Sequence, residues 1–142
     1  MILSKIEGGT HVLIKNYAFD SITDLLASGE KLDNCLFCDK GLPRPDIIFQ
    51  LDADIEILIK RKKLPHSIEF YQKKQDAYKE FSDKIYWKTI NVNRDITEVK
   101  NTLIDDINNL LKEYKENSKI DEMRKNFYPN TVGEDLFLEN SI

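Results

Sequence analysis

Two cysteines three positions apart, Cys35 and Cys38, are the first residues of this chain whose spacing could do chemistry. A Cys-x-x-Cys can run thiol–disulfide exchange or supply half of a zinc site. Redox work of that kind needs the pair at the end of a strand and the start of a helix, whereas here it lies in the polar stretch 29–45. Zinc needs two more ligands, and the two histidines, His11 and His66, stand far apart without pair spacing. The pair therefore reads as two reduced cysteines in a loop, and no metal ligand is assigned. A second set of capable residues follows three short apolar runs: Lys15-Asn16-Tyr17, then Asp52, then Asn93-Arg94-Asp95. Cations, amides, carboxylates and a phenol at the carboxyl ends of strands are what a parallel α/β sheet uses to bind a ligand.

The elements that must position these residues follow from periodicity. Ile2, Leu3 and Ile6 have helical spacing and Gly8-Gly9 ends it, so the chain opens in the last turns of a helix. His11-Val12-Leu13-Ile14 is too short for a helix and rich in β-formers, which predicts a buried strand. Coil or helix is expected from Tyr17 to about Ala27, and a loop from Asp33 to Pro45. Ile47-Ile48-Phe49-Gln50-Leu51 reads as a second strand. Asp52 or Asp54 can cap the helix after it, whose buried face would be Ile55, Leu58 and Ile59 and whose last turn carries Lys60-Arg61-Lys62-Lys63. Ser67 can cap a further helix with Tyr71, Tyr78 and Phe81 near one stripe. Lys88-Thr89-Ile90-Asn91-Val92 is a third strand. Asp95-Ile96-Thr97-Glu98 has the capping-box pattern, and Ile96, Val99, Leu103, Ile107, Leu110 and Tyr114 then mark a long amphipathic helix. Strand, helix, strand, helices, strand, helix implies an α/β fold, about three parallel strands covered by helices on both faces.

Composition sets outer bounds. The chain has 142 residues, 21 basic against 25 acidic side chains and a net charge of -4, which argues against a mainly electrostatic nucleic-acid binder. No apolar run reaches the roughly 18 residues of a membrane span, and the first residues lack the pattern of a signal peptide. An intracellular, cytoplasmic protein is expected, with the nucleus as the other compartment, and neither membrane nor nucleic acid as a partner.

Val12 to Ser21 resembles the strand and Asp-Arg-Tyr-Ala-Phe-Ser-Gly segment of eukaryotic and poxviral thymidylate kinases. Gly41-Leu42-Pro43-Arg44-Pro45-Asp46, with the strand after it, is similar to that family's Gly-Leu-Pro-Lys-Pro-Asp block at the same distance downstream. The likeness continues through Arg61, Glu69-Phe70, the 75–81 helix, 91–99 and Gly133-Glu134-Asp135-Leu136-Phe137, in register with the family's C-terminal two thirds. The resemblance implies a partial P-loop nucleoside monophosphate kinase fold over 1–116, with a polar tail and a short docking segment over 117–142. It implies ATP, Mg²⁺ and dTMP as ligands, the reaction ATP + dTMP to ADP + dTDP, and a homodimer or association with another kinase chain.

By the same resemblance the nucleotide-binding positions are Asn16 and Tyr17 beside the monophosphate, Arg61 and Glu69 at the lid, and Arg94 in the loop bordering the ATP base. Three of them also have a purely structural reading: Arg61 as a helix C-terminal cation, Arg94 as an arginine beside a cap, Tyr17 as packing under a strand end. Two departures count against catalysis by this chain alone. None of its five glycines is followed by Lys, so no Walker A motif is present. The family's Asp-Arg pair is replaced by Lys15-Asn16, and Asp20-Ser21 stands in place of Ser-Gly. No catalytic residue is assigned. The reading is a thymidylate kinase-family chain inactive in isolation; the other is a non-catalytic binding or interaction module attached to a full-length kinase.

Overall fold

The computed structural model describes residues 2–36, 42, 45–61 and 66–116, and these belong to two compact units, one within residues 1–44 and the other from Pro45 onward. The expected tail over 117–142 and Cys38 lie outside the described residues.

In the first unit, α1 (Ile2–Glu7) closes with Gly9 at φ 77, its N–H on the Ile6 carbonyl at 2.9 Å and the Thr10 N–H on the Lys5 carbonyl at 2.9 Å. These are the paired bonds of a Schellman end, which needs a left-handed residue and so favours glycine. Helix α2 (Asp20–Ala27) ends the same way at Gly29, φ 97. It starts from Phe19, a left-handed residue at φ 71 whose side chain is fully buried. A short α3 (Leu32–Cys35) follows, so the first part of the expected loop is helical. Phe19, Ile22, Ala27, Cys35 and Leu36 form the core of this unit.

The expected strand at 11–14 does not form. Val12 and Ile14 are 38% exposed and Leu13 90%, and the stretch is irregular. Hydrophobicity favours burial, but a strand exists only when its N–H and C=O groups find a ladder. Among the described residues none pairs with this stretch, and the chain is turned on both sides, at Gly9 and at Asn16 (φ 53).

The second unit is β1 (Ile48–Asp52), α4 (Ile55–Arg61), α5 (Ile68–Lys79), β2 (Trp87–Asn91) and α6 (Ile96–Glu116). The strands are parallel, with Ile48 opposite Trp87 and Asp52 opposite Asn91. The sheet among the described residues thus has two strands rather than three. Alternation places Gln50, Asp52, Trp87 and Thr89 on one face and Phe49, Leu51, Lys88 and Ile90 on the other. Helix α5 covers the first, through Gln75 to the Asp52 carboxylate at 3.3 Å and Tyr78 with its ring 6.0 Å from Trp87. Helix α6 meets the second through Lys88 and Asp106 at 2.6 Å.

Caps follow the sequence more closely than the buried faces do. The Ser67 hydroxyl accepts from the Phe70 N–H at 3.1 Å, as expected of an N-cap. Helix α4 has no buried residue, and Ile59 is 44% exposed, so its expected inner face is only partly covered. In α6, Val99 is buried while Ile96 is 81% exposed: the first turn overhangs the sheet before the stripe reaches it.

Candidate functional site

The two strands run out side by side, and their ends are stitched by backbone and amide groups. The Val92 N–H donates to the Asp52 carbonyl at 2.8 Å as the last rung. Asn91 then accepts from the Asn93 N–H on its side-chain oxygen at 2.8 Å, a local turn typical of asparagine. Asn93 in turn accepts from the Asp54 N–H at 2.9 Å, tying the end of β2 to the start of α4.

Two guanidinium groups close on this turn. Arg61, the last residue of α4, donates from Nη2 to the Val92 carbonyl at 3.0 Å. Arg94 donates from Nε to the Asn91 carbonyl at 3.1 Å and from Nη2 to the Thr102 hydroxyl at 3.0 Å. Both side chains are exposed and are held on carbonyls of consecutive residues. A guanidinium has five N–H donors, so each keeps most of its donors for an acceptor from solution. The N-terminus of α6 beside them is already taken. Asp95 accepts from the Thr97 N–H at 2.7 Å, and that bond holds its carboxyl below the usual aspartate range.

Beneath α5 the end of β1 opens on a cavity of about 180 Å³, walled by Gln50, Asp52, Leu58, Tyr71, Gln75 and Tyr78 among others. Gln75 fixes one wall, donating to the Ala53 carbonyl at 2.6 Å as well as to Asp52.

Of the five residues expected to bind nucleotide, Arg61 and Arg94 each bond to the main chain at the end of β2. Glu69 is not with them. It sits exposed on the first turn of α5, paired to Lys73 at 2.8 Å, and the Lys73 ammonium keeps its carboxyl below the usual range. Asn16 and Tyr17 belong to the first unit, Asn16 exposed in the left-handed region and Tyr17 half-buried. Sequence reasoning missed the organising part of Asn91, Asn93 and Gln75. Two asparagines spaced i, i+2 after a strand carry a turn signal that could have pointed to the first two.

No protein-family model matches the chain. It is similar to curated proteins named thymidylate kinase: 34% identical over 106 residues to that of Dictyostelium discoideum, covering 72% of this chain and 48% of the relative. Against that of Caenorhabditis elegans the identity is 26% over 117 residues, 80% of this chain and 54% of the relative. Against that of Plasmodium falciparum it is 25% over 122 residues, 81% and 57%. The chain belongs to the thymidylate kinase family. It spans about half the length of the curated relatives it matches.

Arg61 and Arg94 are the exposed cations at the carboxyl end of β2. A resident metal ion fits poorly: among the described residues no three His, Cys, Asp or Glu side chains gather as a donor set. Magnesium in kinase sites leans on one or two carboxylates plus the substrate's phosphates, and Asp52 at the strand end already accepts from Gln75. No described helix is long and apolar enough to cross a membrane.

Proposed function

We propose that this chain is a nucleotide-binding portion of a P-loop nucleoside monophosphate kinase fold that does not, as it stands, transfer the γ-phosphoryl of ATP to dTMP. The observation that supports the binding reading is that Arg61 and Arg94, both exposed, bond to the carbonyls of Val92 and Asn91 at the carboxyl end of a parallel strand in a thymidylate kinase relative. Sheets of this class bind ligands there, and a forked guanidinium suits phosphate. ATP or ADP is the ligand assigned to the arginine pair, with Mg²⁺ arriving on its phosphates. The monophosphate is the ligand of the Asn16 and Tyr17 side.

Inactivity rests on chemistry at Lys15-Asn16. Phosphoryl transfer is mostly positioning and charge stabilisation, and removing an arginine of that kind costs about 10³ to 10⁵ in rate. A neutral Asn16 supplies no charge. Lys15 is a point charge one position away and lacks the planar fork of a guanidinium. The same pair of residues favours the second reading, an interaction module that keeps the scaffold and works beside a full-length kinase chain in the cytoplasm.

The test is a paired measurement on the purified chain. Calorimetric titration with Mg·ADP should show binding that Arg94→Ala weakens about tenfold, while a coupled assay with ATP, Mg²⁺ and dTMP shows no dTDP. Turnover abolished by Arg94→Ala would overturn the inactive reading, and absence of any nucleotide binding would overturn the first. Capture of a full-length thymidylate kinase by the chain, from a mixture of the two purified proteins, supports the module reading.

A further inference from the structure

Arg94 is anchored along a whole edge of its guanidinium, and Arg61 at one nitrogen. The Arg94 Nε donates to the Asn91 carbonyl at 3.1 Å and its Nη2 to the Thr102 hydroxyl at 3.0 Å. Among the described residues Arg61 has the Nη2 bond to the Val92 carbonyl alone. A single bond lets a guanidinium turn about its contact, whereas two bonds from Nε and Nη2, which share an edge, fix its plane. The Nη1 side of Arg94 is then set in one direction, with N–H donors suited to an anionic oxygen.

The first anchor is a main-chain oxygen that any residue at position 91 would supply. The second depends on one side chain. Thr102 lies in the second turn of α6, half-buried, eight positions beyond Arg94. Its hydroxyl proton is spent on the Glu98 carbonyl at 3.0 Å, so toward Arg94 the oxygen presents lone pairs only. Val99, three positions earlier, is buried and anchors this part of the helix.

We propose that Thr102 is a positioning residue of the nucleotide site, its hydroxyl setting the plane of the Arg94 guanidinium before the ligand arrives. A nucleoside diphosphate with Mg²⁺ then meets an ordered donor edge and does not bear the cost of fixing that side chain. The role rests on the nucleotide reading of Arg94. Serine can make the same two hydroxyl bonds, and valine, with the shape of threonine, can make neither.

Calorimetric titration of the full chain with Mg·ADP tests this. Thr102→Val should weaken binding about threefold to fivefold, and Thr102→Ser should restore the parent value. Arg94→Ala combined with Thr102→Val should bind no more weakly than Arg94→Ala alone, because the second change removes only what acts through the arginine. Thr102→Ala, a strong helix former, should show the same loss if the valine variant folds poorly. In NMR of the ligand-free chain, rotation of the Arg94 guanidinium about Nε–Cζ should be faster in Thr102→Val than in the parent and slow again in Thr102→Ser. Parent-like binding by the valine and alanine variants, a loss that serine does not repair or that adds in full to Arg94→Ala, or unchanged rotation overturns the role of Thr102 and leaves the nucleotide reading standing. A parent chain that binds no Mg·ADP overturns the nucleotide reading and this role with it.

Discussion

Arg61 reaches from the last turn of α4 to the main chain just past β2, its Nη2 donating to the Val92 carbonyl at 3.0 Å across 31 positions of sequence. The bond fixes the end of the first strand–helix unit to the end of the second strand. Exposed hydrogen bonds of this kind are worth about 0.5–1.5 kcal/mol. Arg61→Ala should lower unfolding free energy by about 1 kcal/mol in urea titration. Arg61→Lys should recover only part of it, because a point-charge ammonium does not reproduce the planar fork. An Arg61→Ala protein as stable as the parent would show that the contact is incidental.

Gln50 accepts from two donors of the neighbouring strand, Trp87 Nε1 at 3.1 Å and the Thr89 hydroxyl at 3.1 Å. Gln50→Leu takes that acceptor from both and should cost about 1–3 kcal/mol. Trp87 is the single tryptophan, so its emission reports the change directly, with a shifted maximum in the folded state and an earlier urea midpoint. An unchanged maximum would mean that the indole does not depend on Gln50.

Phe19 combines full burial with φ 71. Removing a buried phenylalanine costs about 3–5 kcal/mol, and alanine gains nothing in backbone freedom at a left-handed position. Phe19→Ala should therefore destabilise the first unit by that amount. Hydrogen exchange of the α2 amides would localise the loss, and retention of parent-like protection there would refute it.

The two helix caps predict different pH behaviour. Ser67 is uncharged, so Ser67→Ala should cost about 1 kcal/mol at any pH. Asp95 is held below the ordinary aspartate range by the Thr97 N–H, and Glu69 is lowered by Lys73. A carboxyl that titrates lower when folded binds fewer protons in the native state than in the unfolded one. Its contribution is complete above the unfolded carboxyl range and is lost as pH falls through the folded value. Urea midpoints followed downward from pH 7 should therefore drop in that acid window, and Asp95→Asn should flatten the drop. A midpoint that rises on acidification would reverse the sign of this argument.

Local features were legible because their causes are local. Gly9 and the Asp95 and Ser67 caps each need only residues within three or four positions, and each forms as the spacing says. The two strands that pair were equally readable from short apolar runs, and the likeness of 41–51 to the thymidylate kinases was carried by residue types alone. The hydrogen bonds of Arg61 and Arg94 were not legible, since Val92 and Asn91 accept them through main-chain oxygens that no side-chain pattern announces.

Pairing and exposure were decided only in three dimensions. Val12-Leu13-Ile14 and Ile48-Phe49-Gln50 are similar runs, yet among the described residues only the second has a ladder partner. A strand is a relationship between two chain segments, so its sequence states a preference for burial and cannot supply the neighbour that satisfies it. The same reason leaves Ile96 exposed one turn before Val99 is buried. Periodicity sets which side chains share a face, and the surface set against that face determines which of them leave water.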